Sequence, residues 1–302
     1  MTDFPPPPPP APVPPDDFGV PMPVSASAPM PTVDSGDVLG FALSAGWRAF
    51  TTAWPLTLVG ALVVVGGSIP SQILGLPLQF SEILAKVNPG LGMAAILLGL
   101  LGTIAGTVLA QWPAQVGAAG AGLAAVRGRK DAFGVVLEGF RRFGTSIFAM
   151  FLYTLATIAS FIPGGAILIV GAVMIVTGQR SSPGGLSGLA VVGIAVAALG
   201  GLVVMCSAFY VSARLLPLSL RVVDPDLPRI GAVEAFAETW RMTRGHALAG
   251  VGVLLIGGAA VFAGVLMCCV GALLFGMPLV LAFNAAYYEA LRLKSQAARA
   301  NA

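Results

Sequence analysis

Few residues in this chain have types and spacings suited to chemistry, and their neighbours indicate what each could do. His246 is the only histidine. A zinc site or an acid–base pair needs a second ligand or partner, and no second histidine exists to complete one, so His246 beside Arg244 reads as an interfacial residue. Asp224-Pro225-Asp226 offers two carboxylates to a cation, but Pro225 between them points to a surface turn. Cys206, Cys268 and Cys269 are odd in number and lie inside apolar runs, which makes them small buried hydrophobes rather than disulfides or metal ligands. Gly117, Gly120 and Gly122 superficially copy a phosphate loop. No strand precedes them and no lysine or acidic partner follows, so they predict a close-packing surface. Gly102 and Gly106 form a GxxxG pair that lets helix backbones approach, within the chain or between copies. No catalytic constellation, metal site or cofactor site is expected.

The elements that must carry these residues follow from composition. Of 302 residues 57% are hydrophobic and 10% charged, with mean hydropathy +0.90, where soluble domains average about 25% charged. Such a chain cannot cover a core with polar surface, so it is expected to be an all-α integral membrane protein. A net charge of +3 is too small to imply nucleic acid. No charged and then apolar leader is visible at the N-terminus. Arginines outnumber lysines 13 to 3, a composition associated with GC-rich bacterial genomes.

Proline dominates residues 1–36, a segment predicted to be a disordered or polyproline-II cytoplasmic tail, acting as a spacer or as a docking peptide for an unknown partner. Residues 37–292 form the membrane-embedded domain and 293–302 a short cytoplasmic tail. Charge-free runs at 49–81, 87–126, 143–179, 181–213 and 247–288 predict about six crossings, at 54–75, 91–112, 145–177, 188–213, 247–268 and 272–290. This arrangement places 14 of the 16 basic residues on one side and only Lys86 and Arg180 on the other. The positive-inside rule then puts both termini in the cytoplasm of a bacterial inner membrane. Splitting 145–177 at Pro163 would move a basic cluster outside, so that stretch is read as one kinked crossing. The last run turns near Cys269–Gly271 or Gly276–Pro278, and the small-residue helix 114–126 continues past its crossing into the cytoplasm.

An aromatic-arginine pair precedes the first, third and fifth crossings: Trp47-Arg48, Phe140-Arg141 and Trp240-Arg241. The aromatic positions are 93 and 100 residues apart. Each pair ends a short amphipathic segment, which suggests three copies of interfacial helix plus helical hairpin with these six residues as membrane anchors. The first segment presents Val38, Leu39, Ala42, Leu43, Trp47 and Phe50, with Asp37 as N-cap. The second presents Val135, Val136, Phe140 and Phe143, with Asp131 as cap. The third presents Ile230, Val233, Phe236, Ala237 and Trp240. No crossing carries an ionisable residue at its centre. Gln111 and Asn284 are the polar residues that could line a cavity or join helices.

Ala213-Arg214-Leu215-Leu216-Pro217, Val222-Val223-Asp224, Glu234-Ala235-Phe236 with Trp240, and Thr243-Arg244-Gly245-His246 form an ordered signature. With Leu43–Phe50 it resembles a set of stand-alone bacterial multi-pass membrane proteins of unknown function. These are similar to the membrane domain of some glycerophosphodiester phosphodiesterases. The resemblance implies a helical bundle without a known activity; the catalytic barrel of those enzymes has no counterpart here. The expected function is therefore non-enzymatic: organising lipid or serving as a scaffold for other membrane proteins or a second copy. The alternative is a transporter or channel for a neutral or amphiphilic solute, using helices broken at Pro113 and Pro163. Six crossings make a direct demand on topology: reporter fusions within 179–187 should read periplasmic, and fusions after Lys130 and Asp226 cytoplasmic. A cytoplasmic reading near Ser182 would overturn the single crossing of 145–177.

Overall fold

The computed structural model describes residues 37–129, 132–181, 187–267 and 269–300. The Pro-rich segment 1–36, the expected Asp131 cap, residues 182–186 and Cys268 lie outside the described residues. Among those described, the chain forms thirteen α-helices: α1 Val38–Thr52, α2 Trp54–Leu74, α3 Leu76–Val87, α4 Pro89–Gly106, α5 Trp112–Val126, α6 Ala132–Arg141, α7 Phe143–Ser181, α8 Gly188–Leu215, α9 Leu218–Val223, α10 Ala232–Met242, α11 Ala247–Leu266, α12 Cys269–Gly271 and α13 Met277–Ala300. Local chemistry sets the boundaries. The Asp37 carboxylate accepts from the Gly40 N–H at 2.6 Å, as the N-cap expected for α1. Asn88 caps α4 through the Gly90 N–H at 2.7 Å, with Pro89 at the first helical position.

Six segments are long and apolar enough to cross a membrane: Trp54–Val87, Pro89–Val126, Phe143–Arg180, Gly188–Val223, Ala247–Leu266 and Ala272–Ala298. The chain is thus a multi-pass helical membrane protein, and its order is lead helix plus hairpin three times over. α1 precedes the α2–α3/α4–α5 hairpin, α6 the α7/α8–α9 hairpin, and α10 the α11/α13 hairpin. α7 runs unbroken through Pro163, in line with a single crossing. The first four spans hold 34–38 residues, or about 51–57 Å at 1.5 Å each. A bilayer core is about 30 Å thick. The surplus of the second and fourth spans, α5 and α9, is buried at the end where the basic residues gather, beyond the crossings expected at 91–112 and 188–213, whereas α3 of the first span buries no residue.

Small residues close the hairpins. Gly164, Gly171 and Gly178 of α7 stand seven apart, as do Gly193 and Gly200 of α8, so each set keeps to one seam. A Cβ on Gly171 would lie 2.6 Å from the Ala197 nitrogen, and one on Gly164 2.6 Å from the Val204 nitrogen. The Ser207 hydroxyl adds an interhelical bond to the Ser160 carbonyl at 2.7 Å. The same seven-residue step recurs at Gly92, Gly99 and Gly106 in α4, and at Gly250, Gly257 and Gly264 in α11. Gly102 and Gly106 face Leu74 and Ser71, so the GxxxG pair is used within the chain.

Two returning helices carry a π-turn, Thr107–Gln111 and Ala272–Gly276, each followed at the second position by proline, Pro113 and Pro278. Proline has no N–H to give the carbonyl four residues back. For Pro278 that carbonyl is Leu274, and the Trp54 indole N–H donates to it at 2.8 Å. A side chain of the first hairpin thereby supplies the hydrogen bond that the third cannot make for itself. The last hairpin turns at Cys269–Gly271, one of the two expected places.

The core sits at the basic end. α13 is its axis: the Ala272–Ala298 window is 56% buried against 11–22% for the other five. α1 lies along it with Val38, Ala42, Ala49 and Phe50 inward, so half of the stripe expected to face lipid faces protein. Cys206 is exposed on α8, which corrects the expectation that it is buried. Gly171→Leu should destabilise the second hairpin by about 1–3 kcal/mol. Gly165→Leu, where a Cβ meets nothing within 4 Å, should be nearly neutral. Melting curves of the detergent-solubilised protein test both.

Candidate functional site

Three residues, one from each hairpin's returning arm, meet at the basic end. Arg127 follows α5, Asp224 follows α9, and Glu289 lies in α13. The Arg127 Nη1 and Nη2 donate to the two Asp224 oxygens at 2.7 and 2.9 Å, and its Nε donates to Glu289. Side-chain exposure is 8% for Arg127, 0% for Asp224 and 3% for Glu289. The Tyr288 hydroxyl donates to Asp224 at 2.8 Å, as does the Asp226 N–H at 3.0 Å. Arg129, Asp226 and Arg292 ring the centre, leaving three guanidiniums against three carboxylates. Burial alone would raise the Asp224 carboxyl; the Arg127 hydrogen bonds and charge, with the Asp226 and Tyr288 bonds, instead hold it at about 2. Burial likewise opposes the Arg127 charge, and the Asp224 bond with the nearby carboxylates raises its pKa above the ordinary guanidinium value.

Pro225 and Asp226 form the exposed turn expected, but Asp224 itself is buried, which corrects the sequence reading for that one residue: its carboxylate is turned inward to Arg127. Sequence reasoning counted Arg127 among the basic residues of one side, read Asp224 as part of a surface turn and gave Glu289 no role. The one available signal was that each follows an X-Pro dipeptide of a returning arm (Trp112-Pro113, Leu216-Pro217, Met277-Pro278) by about two to four helical turns.

A second buried cation, Arg214 at the end of α8, is 6% exposed. It donates to the Thr243 hydroxyl at 2.9 Å, the Tyr210 hydroxyl at 2.9 Å and the Trp240 carbonyl at 2.5 Å, and it stacks on the Trp240 ring at 4.2 Å. Among the described residues no carboxylate lies within ion-pair distance of it. The other side of this layer is an open groove of 780 Å³ between α7, α8 and α10. Its walls are Ala156, Ala159 and Val211 on one side and Phe236, Ala237 and Trp240 on the other, with Arg241 at its edge.

α10 turns small residues inward (Ala232, Ala235, Thr239) and leaves Val233 and Ala237 exposed; Glu238 pairs with Arg221 at 2.7 Å. The six anchor candidates divide. Trp47 is 55% and Phe140 41% exposed, and Arg48, Arg141 and Arg241 are exposed, whereas Trp240 is half-buried beneath Arg214. Gln111 lies in the first π-turn and Asn284 in α13, both half-buried. Neither cavity described is lined by them or by Pro163. Gly117, Gly120 and Gly122 are buried against Val136, Val135 and Leu281, the close-packing surface expected. His246 precedes α11 half-buried, and its carbonyl accepts from the Tyr287 hydroxyl at 3.1 Å. Desolvation and the Lys294 charge lower its imidazole pKa below 6.5.

No family model, curated protein or solved structure matches this chain.

Removing one partner of a buried pair strands the other charge, at a cost of about 3–5 kcal/mol. Asp224→Asn should therefore lower the melting temperature far more than Asp226→Asn, whose side chain is 35% exposed. Asp224 titrates below its unfolded value, so the stability it contributes is complete above its ordinary 3.8 and lost as pH falls through about 2. Asp224→Asn should remove that acid-dependent part of the melting profile.

Proposed function

We propose that this chain is a non-enzymatic, multi-pass protein of a bacterial cytoplasmic membrane that organises phospholipid and serves as a scaffold for other membrane proteins or a second copy. Its basic end and both termini lie on the cytoplasmic side, as the 14-to-2 split of basic residues argues. The groove between α7, α8 and α10 carries the reading. At 780 Å³ it falls in the range of about 300–1,000 Å³ typical of ligand sites. Its walls are apolar, with an indole and a guanidinium at one edge, which suits an acyl chain with an anionic headgroup. Trp47-Arg48, Phe140-Arg141 and Trp240-Arg241 then stand at headgroup depth, the first two aromatics in contact with lipid and the third shared between lipid and Arg214. The family resemblance, which implies a bundle without a known activity, agrees with this reading.

Filling the groove tests it. Ala237→Trp should reduce the phospholipid retained through purification in neutral detergent several-fold, by mass spectrometry, while insertion and melting change little because Ala237 is exposed. Unchanged retention would remove the groove's support for lipid organisation. Flux of a neutral solute through proteoliposomes would favour the transporter reading instead.

A further inference from the structure

A second cavity, of 490 Å³, opens beside the three-hairpin ion cluster, between the α5–α6 connection, the end of α6 and the segment leading into α10. Four arginines line it, Arg129, Arg141, Arg142 and Arg229, with one carboxylate, Glu138. That carboxylate is claimed three times: by Arg142 at 2.8 Å, Arg229 at 3.8 Å and Arg141 at 3.9 Å. Arg129 relies on Asp226, which Arg127 and Arg292 also approach, at 3.0 and 4.0 Å. Across the cavity and the cluster, six guanidiniums (127, 129, 141, 142, 229, 292) face four carboxylates (138, 224, 226, 289). The excess of two positive charges falls on Arg141 and Arg229. Their side chains are 71% and 82% exposed, and each has a single long contact to Glu138.

We propose that this cavity binds a phosphoryl group, with Arg141 and Arg229 as its clamps. Arg142 forms the floor; its Nη1 is fixed by the Val222 carbonyl at 2.6 Å and it is 14% exposed. Guanidiniums converging on a concave site match phosphate oxygens in pairs, and the cavity's rigid side, built by Val223, Pro225 and Pro228, keeps the two exposed arginines facing one space. Glu138 occupies the place of the anion when the site is empty, holding the arginines near one another without neutralising them. The phosphoryl group can come from a soluble phosphate compound or from a phospholipid headgroup. This site shares no lining residue with the apolar groove; Arg141 is the one residue it has in common with the proposed headgroup-depth anchors, and binding in the groove is not required for it.

The test uses the full-length protein in phosphate-free maltoside micelles, titrated calorimetrically with inorganic pyrophosphate, and in parallel with phosphatidylglycerol read by native mass spectrometry. Arg141→Gln/Arg229→Gln should weaken binding at least tenfold. Glu138→Gln should tighten it several-fold by removing the competing carboxylate. Arg180→Gln/Arg244→Gln, which removes two exposed arginines elsewhere, should leave it unchanged. Saturable pyrophosphate binding with this pattern assigns a soluble phosphate ligand. The pattern with phosphatidylglycerol alone assigns a lipid headgroup. Absence of saturable binding of either probe, or equal loss in both double variants, overturns the proposal. Should Glu138→Gln fail to fold for want of an Arg142 partner, the two arginine variants, both on exposed side chains, still decide it.

Discussion

The Arg127 guanidinium ties the three hairpins together at their basic end, holding Asp224 in two hydrogen bonds and Glu289 in a third. The rest of the bundle depends on this contact because of what lipid withholds. Between helices inside a bilayer there is no hydrophobic driving force, since acyl chains are as apolar as leucine. Much of the surface of α7, α8 and α11 away from the basic end is exposed aliphatic and aromatic residues, which do not by themselves choose a neighbouring hairpin. Where the long helices project beyond the hydrocarbon, a dense core forms from Val116, Leu218, Val223, Ala235, Tyr287 and Tyr288. At the centre of that core, three charges from three returning arms pair with one another.

The small-residue seams and the ion cluster solve different problems. Glycines seven apart close each hairpin on itself, through van der Waals contact that lipid cannot replace, and the α7–α8 seam shows this most fully. The cluster and the Trp54–Leu274 bond act between hairpins. In the second case a proline-induced gap in the third hairpin's backbone is filled by an indole from the first. The loss of an N–H at Pro278 therefore becomes a specific junction rather than a weak point in the helix.

Much of the architecture was legible because it rests on one-dimensional signals. Charge-free runs gave the six spans, Asp37 the start of α1, and the aromatic-arginine pairs the threefold order. The glycine steps at 164/171/178 and 250/257/264 are equally present in the sequence and define the seams more sharply than the Gly102/Gly106 pair. The site was less legible. Asp224-Pro225-Asp226 has the local chemistry of a surface turn, and only the arrival of Arg127 from 97 residues away makes burial of Asp224 favourable. The lead helices misled in a similar way. A stripe at helical spacing identifies an amphipathic helix but does not say which side meets protein, and α10 puts alanines and a threonine inward while Val233 and Ala237 stay exposed.

The signs of the three central charges carry the last step. Three copies of one lead-helix-and-hairpin unit, each closed by small residues, could neighbour one another in more than one order, because glycine seams are alike. The charges are not alike. Asp224 and Glu289 repel each other, so the second and third hairpins can share a buried centre only with the cationic end of the first between them. α5 occupies that place, buried along almost its whole length from Pro113 to Ala125. Its run of alanine and glycine is what allows neighbours on several sides to approach closely enough for Arg127 to reach both acids. An ion pair of this kind adds little net stability over a well-packed apolar core, but a wrong neighbour would leave a buried charge unpaired at a cost of several kcal/mol. The small residues of α5 and the charge that ends it thus act as one device, which sets the first hairpin at the centre and fixes the order of the other two around it.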